Sequence, residues 1–175
     1  MSCQYIATKL QGTGEVIIIN GPPVSAVIDR VNGCLSVFKK YSGITVLSSN
    51  QNAGGSRTGG LDVATQLLTR FPKVNAIYAI NDPTAIGVGL AAKQLGITSF
   101  FMTATDGSPD GISLLKDPKG LLLADSAQFP AKEAEKAVNI AFGIYDGTVK
   151  NPLDITLVPM ELITRENVAS YIGWK

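Results

Sequence analysis

Five short runs of consecutive apolar residues, rich in β-branched side chains, punctuate the chain: Glu15–Asn20, Ile44–Ser48, Val74–Ile80, Ser99–Thr103 and Gly120–Ser126. Their starts lie roughly 20–30 residues apart, about the length of one strand–helix unit. The runs are nearly continuous in apolar character rather than alternating. A strand reads this way when both of its faces are covered, which predicts a parallel sheet between two helix layers.

Between the runs the apolar positions recur at helical spacing. Val27, Val31, Cys34, Leu35 and Phe38 fall three and four apart within Ser25–Tyr41, and Leu61, Ala64, Leu67, Leu68 and Phe71 repeat the pattern until Pro72 stops it. Ala85–Leu95 closes at Gly96, Pro109–Leu115 forms a shorter helix, and Ala131–Tyr145 forms a longer one ending at Gly147. Cys3–Leu10 reads as an opening helix closed by Gly12 and Gly14. The rhythm predicts a doubly wound, three-layer α/β/α fold with a parallel sheet. The end of the chain stands outside it. A short strand at Ile155–Val158, a second apolar piece at Leu162–Thr164 and a small helix holding Val168, Tyr171 and Trp174 are expected there.

Composition removes several kinds of chemistry. Of 175 residues 45% are apolar and 17% charged, which suits one well-cored domain. Fifteen lysines and arginines against 14 aspartates and glutamates leave a net charge of +1, so electrostatics argues for neither nucleic acid nor an anionic membrane as a partner. With no histidine, Ser-His-Asp and Cys-His catalysis and most zinc sites are excluded, and no cofactor or metal is expected. Two cysteines cannot form a disulfide framework; Cys3 and Cys34 both fall on apolar helix faces and read as buried small hydrophobes rather than nucleophiles. No apolar run approaches the ~20 residues of a membrane span. The opening Met1-Ser2-Cys3-Gln4 has neither the basic stretch nor the apolar segment of a signal peptide.

In an open parallel sheet, ligands bind beyond the carboxyl ends of the strands, so the polar residues just after each run matter most. These are Asn20-Gly21 with Arg30 in the helix beyond, the glycine-rich stretch Asn50–Gly60, Asn81-Asp82, Asp106-Gly107 and Gln128. A guanidinium, a carboxylate and two amides on one rim suit a polyhydroxy ligand, because each hydroxyl both donates and accepts. Each residue also has a plainer role. Arg30 could be a solvated helix residue, Asn81 and Asp82 could cap the following helix, Asp82 being the expected one, Asp106-Gly107 could be a turn, and Tyr171 and Trp174 are expected as core anchors.

Three motif-like stretches lack the residues their chemistry needs. Gly54 and Gly59 have the outer spacing of a phosphate-binding P-loop, but Gly60-Leu61 stands where Lys-Ser/Thr is required. Gly12-Thr13-Gly14 precedes its strand, where a dinucleotide fingerprint would follow one. Asp106-Gly-Ser-Pro-Asp110-Gly111 imitates half of an EF-hand loop, with Asp117 in place of the final glutamate and no helix before it.

Four stretches, Ser25-Ala-Val-Ile-Asp-Arg30-Val-Asn-Gly33, Ala79-Ile-Asn81-Asp82-Pro-Thr-Ala-Ile-Gly87, Thr105-Asp106-Gly107-Ser-Pro-Asp110-Gly111 and Ala127-Gln128-Phe-Pro130, resemble the periplasmic sugar-binding proteins of the ribose type. That family serves ABC transporters, and its type I, Rossmann-like lobes are shared with the effector domains of lac-repressor-type regulators. The resemblance implies that Arg30, Asn81, Asp106 and Gln128 hydrogen-bond a monosaccharide or polyol, that an ABC permease is the partner, and that the location is periplasmic. The Glu161–Val168 ending resembles the transporter branch more than the regulators. The aromatic usual after the second strand is replaced by Gly55 or a neighbour, and Cys34 stands where an aromatic core residue is common.

Against that two-lobed family, residues 1–128 correspond to the second lobe, 129–159 to a segment that crosses back to the first, and 160–175 to a tail returning to the second. The chain therefore looks like a fragment, an internal-start product or half of a split gene. Helix 131–145, without its usual packing partner, is expected to be covered by a second copy or by rearrangement. Two other functions compete: a sugar-sensing regulator domain, which would need an upstream DNA reader, and a small enzyme using Asp106.

Overall fold

The computed structural model describes residues 1–151 and 153–174; Pro152 and Lys175 lie outside the described residues. The chain runs α1 (Ser2–Lys9), β1 (Thr13–Ile19), α2 (Ser25–Phe38), β2 (Gly43–Ser48), α3 (Arg57–Arg70), β3 (Ala76–Ala79), α4 (Asp82–Leu95), β4 (Phe101–Asp106), α5 (Pro109–Lys116), β5 (Leu122–Ala127), α6 (Pro130–Tyr145) and β6 (Glu161–Thr164). The strands form one sheet in the order β2-β1-β3-β4-β5-β6. The first five run parallel and β6 closes the edge antiparallel to β5.

The continuous apolar runs have a direct structural cause. Successive side chains of a strand point to opposite faces. Val16 and Ile18 of β1 enter a core with Cys3, Ile6 and Ala7 of α1 and Val27, Val31 and Phe38 of α2. Ile17 and Ile19 enter a second core with Ala64, Leu67 and Leu68 of α3 and Ala85, Val88 and Ala91 of α4. Both faces of the central strands are thus buried, as the three-layer expectation requires. Gly96 ends α4 in the left-handed conformation at φ 67°, and α3 stops at Arg70, two residues before Pro72.

Cys3 and Cys34 are buried as expected, but they are not separate thiols. They form a disulfide with Cα atoms 5.3 Å apart, because α1 and α2 lie side by side on the same face of the sheet. Closing a loop of this sequence separation, 31 residues, contributes on the order of 3–4 kcal/mol in the chain-entropy account.

The tail differs from its sequence reading in two places. Ile155–Val158 is extended coil and not a strand, with Ile155 and Leu157 exposed; the sheet edge beside β5 is already taken by 161–164. The expected small helix is a series of turns over 165–170. Here the Asn167 side chain accepts from Thr164 N (2.7 Å) and donates to Leu162 O (3.0 Å), a local alternative to helical bonding. The fourth strand also lies later than the Ser99–Thr103 run, at Phe101–Asp106, so that Met102 and Ala104 point inward and Asp106 ends the strand at the rim.

Candidate functional site

Parallel strands bring the first residues of every following loop to one edge, and there the structure assembles three of the four predicted side chains. Arg30, in the second turn of α2, reaches across β1 and β3. Its Nη1 donates to Ile80 O at 2.8 Å, and its Nη2 lies 3.6 Å from Asp106 Oδ1. Gln128, just beyond β5, donates from Nε2 to the same Asp106 oxygen at 2.8 Å. The side chains of Arg30 and Asp106 are 22% and 15% exposed, open enough to meet a ligand and enclosed enough to strengthen its hydrogen bonds.

Asn81 lies on the same rim, but both ends of its amide are committed. Its Oδ1 accepts from Thr84 N at 3.0 Å, making it the N-cap of α4, and its Nδ2 donates to Gly55 O at 2.9 Å. The cap expected of Asp82 therefore belongs to Asn81. The glycine-rich stretch that fails as a phosphate loop meets Asn81 through backbone: Gly55 adopts φ 65°, and a Cβ there would stand 3.3 Å from Asn81 Nδ2.

Asp106 is held in an unusual backbone state. Its φ of 147° is rare for a residue with a side chain, and its carbonyl accepts from Gln128 N and from Trp174 Nε1, both at 2.9 Å. Tyr171 donates to Gly107 O at 3.0 Å. Tyr171 packs against the core as expected and also holds the Asp106 turn by its backbone, whereas Trp174 is exposed and bonds the turn from outside the core. Gly107 is required here, since a Cβ would lie 2.5 Å from that of Ala127.

Burial raises the Asp106 carboxyl to about 6, helped by the charge of Asp82 and opposed by the Arg30 guanidinium and the Gln128 amide. Beneath it are two further carboxyl groups, both fully buried: Asp82, which the sequence placed at the rim or as a cap, and Asp125, which sequence reasoning did not place in the site. The available signal was Asp125 itself, a carboxylate in the middle of an otherwise apolar or small-residue strand. Among the described residues no cluster of three or more potential ligands is arranged to hold a metal ion.

Chemically, the rim offers guanidinium and amide donors beside a carboxylate acceptor. It is equipped to hold adjacent hydroxyls by hydrogen bonds.

Comparison with known proteins gives the family of the chain. Residues 1–148 match the family described as the periplasmic binding protein domain. A ribose import binding protein of Salmonella typhimurium is 35% identical over 158 residues, covering 88% of this chain and 52% of that protein. The D-allose-binding periplasmic protein of Escherichia coli is 40% identical over 130 residues, covering 73% and 41%. An ABC transporter periplasmic solute binding protein from Actinobacillus succinogenes, solved with bound D-allose, superimposes with a TM-score of 0.89 at 27% identity, covering 97% of this chain and 58% of the other. The chain spans about half the length of the curated relatives it matches. It belongs to the periplasmic binding protein domain family.

Proposed function

We propose that this chain is a sugar-recognition lobe of a carbohydrate ABC importer's solute-binding component and holds a monosaccharide or polyol at the carboxyl ends of β3, β4 and β5. The observation that carries this reading is the convergence of Arg30 and Gln128 on one Asp106 oxygen. A ligand hydroxyl can replace the weak 3.6 Å Arg30 contact, taking donors from Arg30 and Gln128 and giving its proton to Asp106. Asn81 contributes by fixing α4 and the loop at Gly55, and its Oδ1 has a lone pair left for the ligand.

In this reading residues 1–128 are the lobe proper, 129–159 lead toward the other half of a two-lobed receptor, and 160–175 return. The partner is a membrane permease, and the location is periplasmic, where a disulfide such as Cys3–Cys34 persists. No reaction is catalysed. Relatives named for import and sugar binding favour this over a regulator domain.

The test is NMR titration of the 175-residue chain with D-ribose, D-allose and xylitol. One of the three is expected to shift the Arg30, Asp106 and Gln128 resonances with a dissociation constant of about a millimolar, roughly 4 kcal/mol, because a single lobe leaves the ligand half in water. Arg30→Ala should weaken it more than tenfold, since a hydrogen bond to a charged group contributes about 1.5–3 kcal/mol. Absence of any shift at these three residues with all three ligands overturns the reading.

A further inference from the structure

The carboxyl groups of Asp82 on α4 and Asp125 on β5 are fully buried and neighbour each other. The donors around them are unequally shared. Asp82 Oδ2 accepts from Ser108 N at 2.8 Å and from Ser108 Oγ at 2.6 Å, whereas Asp125 has only the Gly107 backbone N–H beside it, and neither its oxygens nor Asp82 Oδ1 make a well-formed hydrogen bond. Two neighbouring buried carboxyls with so few donors are compatible only if one of them carries a proton, which then serves the oxygens left without a partner.

No cation contradicts this. Among the described residues the ion pairs are Arg30–Asp106 and Arg57–Asp110, and neither touches the pair. The ionisable groups facing it are Asp106 from β4, Asp110 from α5, Tyr78 from β3 and Tyr171 from the tail, none of them positively charged. Two adjacent carboxylates in such surroundings cannot both ionise near neutrality. The charge belongs on Asp82, which faces the first turn of α5 so closely that a Cβ on Gly111 would stand 2.1 Å from its Oδ2. The proton belongs on Asp125.

The pair is also joined to the rim. Asp82 N points to Asp106 Oδ2 at 3.4 Å, and Ser108, which Asp82 holds twice, lies two residues beyond Asp106. We propose that Asp82 and Asp125 are positioning residues that share one proton at neutral pH, and that this shared proton fixes the strained Asp106 turn in its ligand-accepting conformation. Its consequence for binding rests on the sugar reading above; the proton sharing and the positioning do not.

The measurements therefore use no sugar. The folded chain holds a proton that the unfolded chain releases at about pH 4, so stability falls as pH rises until the pair itself ionises. Asp106 contributes in the same sense only up to about 6. Well above pH 7, where Asp106 is ionised, the slope belongs to the pair, and the unfolding constant in urea should rise about tenfold per pH unit. Asp125→Asn, which supplies a permanent donor to Asp82 without a titrating proton, should flatten that slope. Infrared spectra of the native chain at neutral pH should show a protonated-carboxyl band. Trp174, the sole tryptophan, reports the position of the Asp106 carbonyl. Its emission should shift in Asp125→Ala and return to the native value in Asp125→Asn. The proposal is overturned by a native chain without the infrared band, by an unchanged slope in Asp125→Asn, or by Trp174 emission indifferent to Asp125→Ala.

Discussion

Asp106 combines a rare backbone conformation, a half-desolvated carboxyl and two converging donors, and these features together set how the rim responds to acid. Burial lifts its carboxyl to about 6, above the ordinary value of about 3.9. The sign differs for stability and for binding. Folding favours the protonated form, so the stability that Asp106 contributes is complete below about pH 4 and is lost as pH rises through 6. A ligand donating hydroxyl protons favours the carboxylate, so sugar affinity should rise from pH 5 to about 7 and then level, whereas Asp106→Asn should bind weakly at every pH in that range. An affinity that instead falls over this interval in NMR or calorimetric titration would remove Asp106 from the ligand. Asp106, Arg30 and Gln128 were legible in the sequence because strand ends are predictable positions and each residue type is unusual there. Asp125 and the burial of Asp82 were not, because burial depends on what packs above them: Ser108, Gly111 and the tail come from distant parts of the chain.

Among the elements, the contact of α3 with α4 explains a sequence feature that motif reasoning could only discard. The glycines around Gly59-Gly60 and Gly87 hold no phosphate; they allow two helices to touch backbone to backbone. A Cβ at Gly87 would lie 2.3 Å from Arg57 O and 2.5 Å from Leu61 N, and one at Gly60 would lie 2.5 Å from Thr84 O. This approach sets the N-terminus of α4, and with it Asn81 and the Gly55 loop, against the rim. Gly87→Ala should destabilise the chain by about 1–3 kcal/mol or more, since backbone cannot yield as a side-chain tip can. Gly33→Ala in α2, where a Cβ meets nothing within 4 Å, should instead stabilise it by about 0.5–1 kcal/mol. Urea denaturation of both variants checks the pair, and equal effects would refute the close-contact account. The βα order was legible because periodicity is local. The disulfide and the tail were not: which two helices share a sheet face, and which segment takes the last edge, are decided by the whole fold.

At the scale of the molecule, α6 is the element whose sequence and surroundings disagree. Its residues repeat apolar side chains at helical spacing through Val138, Phe142 and Tyr145, yet of the whole helix only Gly143 is buried. Phe142 is 67% exposed and Tyr145 90%, and the coil that follows adds Ile155 at 88%. Such a stripe continued by an apolar strand-like coil is larger than the scattered apolar residues a lone protein normally shows to water. In a chain half the length of its relatives, this is the face on which the remaining half would pack, and in the 175-residue chain by itself a second copy is the surface of matching chemistry. Burying Val138, Phe142 and Tyr145 would each contribute about 1.5–3 kcal/mol, enough for association at micromolar concentration. Sedimentation equilibrium should therefore show the apparent mass rising toward a dimer with concentration, and Phe142→Lys should hold the chain monomeric. Because α6 stands clear of the Arg30–Asp106–Gln128 rim at its far end, that substitution should leave the Arg30, Asp106 and Gln128 resonances in place. A native chain that remains monomeric at every concentration would mean that α6 is stable in water without a cover.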